Sequence, residues 1–244
     1  MKIYGKNPVI ERIKADPKSV LKIYVEPGHP DREYVTLKGK KYGIPVMVIP
    51  ESKMIKLGRS LHTQGILIET QNFAYVDFDD LLDEAYAHGV TLVFLDGITD
   101  PQNFGAILRS VACLGGFAVV IPTHGSVDVT DTVTRVACGG ENHVKISKVN
   151  NLNNAIEKAK AKGFWIAGSV VKDGEDIMHA KLPFPLGLVV GSEGKGIRDI
   201  TLKNLDVKLT IWMAQPRLSL NAAQATSIFC YEIKKQKDQS SKKP

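Results

Sequence analysis

Three stretches of this chain place polar residues and glycines where an apolar framework has no need of them. The first is Leu95-Asp-Gly-Ile-Thr-Asp-Pro-Gln-Asn-Phe-Gly-Ala-Ile-Leu-Arg-Ser110. Asn103 stands where a helix N-cap is expected, before Phe104. Gly105 permits close approach to the first turn. Arg109 follows amid Ala106, Ile107, Leu108, Val111 and Ala112, and in isolation reads equally well as an ion-paired or snorkelling surface residue. The second stretch, Val189-Val-Gly-Ser-Glu-Gly-Lys-Gly-Ile197, sets three glycines around Glu193. It is not a phosphate loop, because no Gly-Lys-Ser/Thr falls at the required spacing, and Gly191, Gly194 and Gly196 do not match the dinucleotide fingerprint. The glycines predict a tight turn with exposed backbone. Glu193 at a helix N-terminus would gain only ~0.3–1 kcal/mol from the dipole. The third stretch, Ile211-Trp-Met-Ala-Gln-Pro-Arg-Leu-Ser-Leu-Asn-Ala222, leads from a strand to the last helix. Ser219 is the expected N-cap there, with Asn221 in the first turn.

Ligands of open α/β sheets sit outside the carboxyl ends of strands, so the elements around these stretches decide whether they meet. Apolar runs predict strands at Thr91–Asp96, Phe117–Ile121, His143–Val149, Phe164–Val171, Leu186–Gly191 and Val207–Met213. Continuous apolar character suits strands covered on both faces of a mostly parallel sheet. Helices are expected between them at Phe104–Leu114, Val129–Cys138, Leu152–Lys162 and Gly196–Leu205, and a last one from Ser219 to Lys237. Before this region, helices at Lys6–Ala15 and Arg32–Tyr42 alternate with strands at Leu21–Val25, Ile44–Ile49 and Gly65–Glu69. The fold expected is α/β: a small domain over 1–72, an acidic linker over 73–89 with a short helix at Asp79–Ala87, a larger domain over 90–237, and a disordered basic tail over 238–244.

Charge follows the same division. Residues 1–69 hold 13 Lys/Arg against 7 Asp/Glu, whereas residues 90–232 are nearly balanced at 14 against 13. A basic region beside a neutral one suggests that one part holds a polyanion while the other does something else. With 43% hydrophobic and 24% charged residues, disordered, collagenous and coiled-coil classes are excluded. No apolar run approaches the ~18 residues of a membrane span, and Met1-Lys-Ile-Tyr-Gly-Lys6 has no signal-peptide character. Cys113, Cys138 and Cys230 are odd in number and widely spaced, which suits reduced packing residues in a cytoplasmic protein. His29, His62, His88, His124, His143 and His179 show no paired spacing, and no metal site is expected.

No one stretch is decisive, but their order is. Asp100-Pro-Gln-Asn-Phe-Gly-Ala-Ile-Leu-Arg109, Gly191-Ser-Glu-Gly-Lys-Gly196 and Ser219-Leu-Asn221 after Ile211-Trp-Met213 resemble the three motifs of the SpoU/TrmH family, RNA 2′-O-ribose methyltransferases of the SPOUT class. The resemblance covers nearly the whole chain. Tyr4-Gly-Lys-Asn-Pro-Val-Ile-Glu11 resembles the opening of that family's substrate-binding domain, and His62-Thr-Gln-Gly65 its closing His-Gln-Gly, with one extra residue. The branch most similar methylates a guanosine ribose of large-subunit ribosomal RNA.

The resemblance implies a C-terminal trefoil knot, S-adenosylmethionine as cofactor, RNA as partner and a homodimer with its site at the subunit interface. Residue by residue it implies Arg109 as the catalytic arginine, with Asn103, Glu193, Ser219 and Asn221 beside it. Gly168, Ser169, Val190, Gly191, Ile211, Met213 and Leu220 fall at cofactor-binding positions, largely through backbone. Three departures stand out: Trp212 where a proline is usual, Gln215-Pro-Arg217 in place of a glycine-containing stretch, and Ala223 where a serine is common. Trp212 could fill part of an adenine pocket or pack on the last helix.

Transfer of a methyl group to a ribose hydroxyl needs in-line positioning, which can supply ~7–11 kcal/mol of the barrier. Lowering a guanidinium pKa from ~13 to ~8 would demand about 7 kcal/mol, which favours an arginine that clamps phosphate and stabilises a developing alkoxide over one that acts as a base. Two rival readings differ in class. One is an RNA- or ribosome-binding homologue without methyl transfer. The other is a nicotinamide-dependent oxidoreductase, which the missing glycine fingerprint disfavours.

Overall fold

The computed structural model describes residues 1–58, 63–215 and 218–240, and the chain divides into two compact units. In the first, β1 (Lys2–Tyr4), α1 (Lys6–Ala15), β2 (Val20–Val25), α2 (Arg32–Tyr42), β3 (Val46–Val48), α3 (Glu51–Gly58) and β4 (Ile66–Thr70) follow in order. The sheet order is β1-β4-β2-β3, antiparallel except for the parallel β2–β3 pair. Val9 and Ile13 of α1, Val35 of α2 and Ile3, Ile23, Ile66 and Ile68 of the strands form its core. Gly43 closes α2 at φ 69°, a left-handed position that glycine takes without steric cost. β1 and α3 are absent from the sequence reading: three-residue and eight-residue elements carry too few periods to register.

The second unit begins with α4 (Phe78–His88), then β5 (Thr91–Asp96), α5 (Pro101–Leu114) and β6 (Phe117–Pro122). After α6 (Asp131–Ala137) come β7 (Ile146–Val149), α7 (Leu152–Ala161), β8 (Trp165–Ser169), β9 (Glu175–Asp176), β10 (Leu186–Gly191), α8 (Asp199–Leu202), β11 (Val207–Thr210) and α9 (Ala222–Ser240). Among the described residues, seven strands make one sheet in the order β7-β6-β5-β10-β8-β11-β9, every adjacent pair parallel. β5, β6 and β10 are buried along their whole length, as strands covered on both faces must be.

Several sequence expectations are corrected here. The acidic stretch before Gly89 is a packed helix of the second unit rather than a linker. Phe78, Leu81, Leu82 and Ala85 of α4 are buried in the core cluster that also holds Leu92 and Phe94, and the acids Asp79, Asp80 and Asp83 are exposed. Residues 128–143, α6 included, group with the first unit although the sequence places them inside the second region. There the Asp131 carboxylate accepts from the Lys2 backbone N–H at 3.1 Å, and the Arg12 guanidinium meets the buried Glu141 carboxylate at 3.5 Å. The expected helix Gly196–Leu205 shrinks to the four residues of α8, because Gly196 holds φ 68° in a turn. The last helix continues to Ser240, beyond the point where polar composition suggested fraying, and residues 241–244 lie outside the described residues.

Candidate active site

The order β5-β10-β8-β11 sets four parallel carboxyl ends side by side, with Gly191 in register with Asp96. The loops after β8, β10 and β11 enclose a cavity of about 540 Å³, lined among others by Ser169, Val190, Gly191, Glu193, Ile211, Met213, Leu220, Asn221 and Phe229. That size falls within the range of small-molecule sites, and apolar walls with a few polar groups are their usual chemistry.

The glycine-rich stretch forms one wall. Ser192 and Gly196 exchange backbone hydrogen bonds at 3.1 and 2.9 Å, which closes a tight turn. Gly191 lies beneath it. A Cβ there would stand 2.1 Å from the carbonyl carbon of Gly196 and 2.2 Å from the Ile197 nitrogen, so only glycine allows the turn to fold back over its own strand. Gly194 takes φ 80°, the second requirement that glycine alone meets cheaply. Glu193 sits at the tip, and the Asn103 side-chain amide donates to its Oε1 at 2.8 Å.

Asn103 is therefore not the cap of α5. Asp100 caps it, accepting from the Gln102 N–H at 2.9 Å with Pro101 in the first turn, and this leaves the Asn103 side chain available to the neighbouring loop. A parallel correction applies to the third stretch. Asn221, not Ser219, caps α9: its Oδ1 accepts from Gln224 N–H at 2.7 Å and the Gln224 side chain accepts from Asn221 N–H at 3.3 Å. This reciprocal pair is a capping box that Asn221-Ala-Ala-Gln224 spells out in sequence. Ser219 instead holds φ 47° on the cavity wall. A left-handed serine costs of order 1–3 kcal/mol and persists where its surroundings impose it.

The remaining candidates divide. Ser169, Val190, Gly191, Ile211, Met213 and Leu220 all line the cavity. Gly168 does not: it is inside β8, where a Cβ would meet Leu205 at 2.2 Å and Ile197 at 3.1 Å, so it serves close packing beneath the site. Arg109 is exposed on α5 and is not a lining residue. Six residues of helix separate it from Asn103 by roughly 9 Å along the axis. Trp212 is 72% exposed and is not among the residues that line the cavity. Ala223 is buried in α9. His62, Pro216 and Arg217 lie outside the described residues. Cys230, next to the lining residue Phe229, has its thiol pushed up to about 12 by burial, which makes it a packing residue rather than a nucleophile. Sequence reasoning passed over Phe229 and Gln224, and it gave no role to Asp96, a carboxylate ending an apolar strand.

A model of the SpoU rRNA Methylase family matches residues 90–231, the region that contains all three loops. The chain belongs to that family. Residues 2–76 match the family's companion module, described as RNA 2′-O ribose methyltransferase substrate binding, and so cover most of the first unit. A Bacillus subtilis (strain 168) protein whose assigned name is that of a TrmH family tRNA/rRNA methyltransferase is 32% identical over 235 residues, covering 95% of this chain and 94% of that protein. The SpoU fold is shared with two solved structures. The SpoU methyltransferase AviRb from Streptomyces viridochromogenes, in complex with AdoMet, aligns with a TM-score of 0.80 at 19% identity, over 98% of this chain and 91% of the other. An AdoMet-bound rRNA methyltransferase from Sinorhizobium meliloti aligns at 0.79 and 21% identity, over 96% and 86%. The SpoU resemblance read from the three motifs thus holds, with an N-terminal substrate-binding unit and a parallel seven-stranded sheet.

Proposed function

We propose that this chain transfers a methyl group from S-adenosylmethionine to the 2′-hydroxyl of a ribose, that of a guanosine in large-subunit ribosomal RNA, and that it works as a cytoplasmic homodimer with a trefoil-knotted second domain. The observation that carries this reading is the convergence of the three loops. The second and third enclose the cavity, and the first reaches the second through the Asn103–Glu193 hydrogen bond.

The lining suits the cofactor. Val190, Ile211, Leu220 and Phe229 offer apolar surface for an adenine ring, Ser169 and Asn221 offer hydroxyl and amide groups, and the Gly191–Gly196 turn offers backbone. S-adenosylmethionine supplies a methyl group on a sulfonium centre. The residues of the chain do the rest: the turn and Leu220 bind, Asn103 holds Glu193 in orientation, and the apolar lining limits water. Arg109, exposed on α5 and outside the cavity lining, faces the RNA side, where it clamps the target phosphate and stabilises the alkoxide that develops at the ribose oxygen as the hydroxyl proton leaves to water. The exposed apolar side chains Trp212, Leu218, Ile228 and Tyr231, on α9 and the segment preceding it, supply a surface for a second copy.

Three measurements test this. Mapping of 2′-O-methyl groups in RNA from cells with and without the gene should show one guanosine of large-subunit rRNA losing its modification; an unchanged map overturns the assignment. Titration calorimetry with S-adenosylmethionine distinguishes the non-methylating homologue, for which no heat is expected even at millimolar cofactor. The pH–rate profile of Arg109→Lys should keep its shape if the guanidinium is a clamp; loss of an ionisation with the substitution would make it a base.

A further inference from the structure

Asp96 ends β5 with its side chain fully buried, in register with Gly191 of β10. A carboxylate so placed needs partners, and both come from one residue. The Arg198 backbone N–H donates to Oδ2 at 3.0 Å, and the Arg198 Nε donates to Oδ1 at 2.6 Å. Between Gly191 and Arg198 runs the wall of the cavity: the Ser192–Gly196 turn, then Ile197, which is buried in the core. This wall is tied to the β5–α5 segment at two points, at its tip by Asn103–Glu193 and at its far end by Asp96–Arg198. Gly191 cannot move without the turn above it, because the Gly196 backbone lies directly against it. A displacement at Arg198 therefore propagates to the lining.

We propose that Asp96 is a positioning residue for the methyl-donor pocket, acting through Arg198 to hold the 191–197 wall in its receiving shape. The proposal rests on the S-adenosylmethionine reading given above. Arg198 suits the task because its Nε donates to the same carboxylate that its own main-chain N–H engages, a pairing a lysine ammonium reproduces poorly. No group here touches the reacting atoms, so the effect should fall on donor binding.

The test uses the full chain with S-adenosylmethionine and substrate RNA. Asp96→Asn and Arg198→Gln should each raise the donor Kd by calorimetry, and the donor KM, about tenfold, while KM for RNA stays within about twofold of wild type. Arg198→Lys should fall between. The double variant should bind donor no more weakly than the weaker single variant, since both remove one tether. Arg198→Gln keeps the main-chain N–H donor to Asp96 and brings a side-chain amide that can donate in place of Nε, so it is the milder probe where Asp96→Asn unfolds, and a thermal melt of each variant selects the folded ones. Wild-type donor affinity in folded Arg198→Gln overturns the proposal, as do equal losses in donor and RNA binding, which mark a merely structural residue. If the wild-type chain binds no S-adenosylmethionine, the functional reading falls and the proposal with it; if wild type binds and the variants do too, the proposal alone falls.

Discussion

Asn103 and Glu193, 90 positions apart in sequence, share a hydrogen bond of 2.8 Å between amide and carboxylate. The bond joins the first turn of α5 to the tip of the turn after β10, and so ties two of the three motif loops into one constellation. Glu193 is exposed, so the pair adds little to stability, and its worth lies in orientation.

Asn103→Ala and Glu193→Gln should each lower kcat/KM while leaving the melting temperature nearly unchanged. If the two act as a unit, a double-mutant cycle on kcat/KM should return a coupling of about 0.5–3 kcal/mol. Strict additivity would show that the contact has no part in turnover.

Gly191→Ala should be disproportionately harmful for one methyl group. The added carbon would sit 2.1–2.4 Å from backbone atoms of Gly196 and Ile197, which cannot rotate away as a side chain can. A destabilisation of about 1–3 kcal/mol, as for overpacked cores, should accompany loss of S-adenosylmethionine binding. Denaturant melts and calorimetry measure the two effects; a neutral variant would mean the turn is more yielding than its geometry implies.

RNA affinity should fall with salt, and α2 offers a place to look for the contacts. Lys38 Nζ stands 5.4 Å from the Tyr34 ring centre and 5.9 Å from that of Tyr42, and Lys41 stands 5.3 Å from Tyr42. Cations interleaved with rings suit phosphates and unstacked bases. Lys38→Gln/Lys41→Gln should weaken RNA binding and flatten the salt slope by about 0.7 per lost phosphate contact. An unaltered slope in filter binding across salt would remove α2 from the interface.

Burial pushes the Glu141 carboxyl above the ordinary carboxylate range, against the pull of Arg12. The folded state then holds this proton more tightly than the unfolded state, so the contribution of Glu141 to stability declines as pH rises from the ordinary carboxylate range through the raised folded value. Glu141→Gln resembles the protonated residue and lacks that slope. The difference in unfolding free energy, variant minus wild type, should therefore grow more positive between about pH 4 and neutrality. A difference that shrinks with pH would mean that Arg12 outweighs the cost of burial.

Deletion of residues 1–69 is a poor test of RNA binding. Residues 128–143 group with the first unit, so the truncation would remove Lys2, the partner of Asp131, and Arg12, the partner of Glu141. Point substitutions on α2 avoid this.

Local chemistry was legible wherever a single stretch holds all that it needs. Lys6–Ala15 and Arg32–Tyr42 are helices as their spacing predicts, Gly43 and Gly89 close helices in left-handed conformations, and the apolar runs at Thr91–Asp96 and Leu186–Gly191 are fully buried strands. The capping box Asn221–Gln224 was equally readable, but a serine two residues upstream drew the assignment because propensity ranks residue types and does not see φ angles. The helix at Asp79–Ala87 is legible in sequence, but its charges dominate the composition and point to a linker, while Phe78, Leu81, Leu82 and Ala85 bury its other side in the second unit.

The sequence by itself determined the parallel α/β architecture, the basic first region and the three polar loops, because periodicity, charge and turn chemistry are properties of neighbouring residues. Only the tertiary structure decided that the strand order brings β10, β8 and β11 together, that Asn103 reaches Glu193 rather than its own helix end, and that Asp96 holds Arg198. Those relationships depend on which strands pair across long separations, and pairing is settled by burial of the whole sheet, a quantity no local window contains.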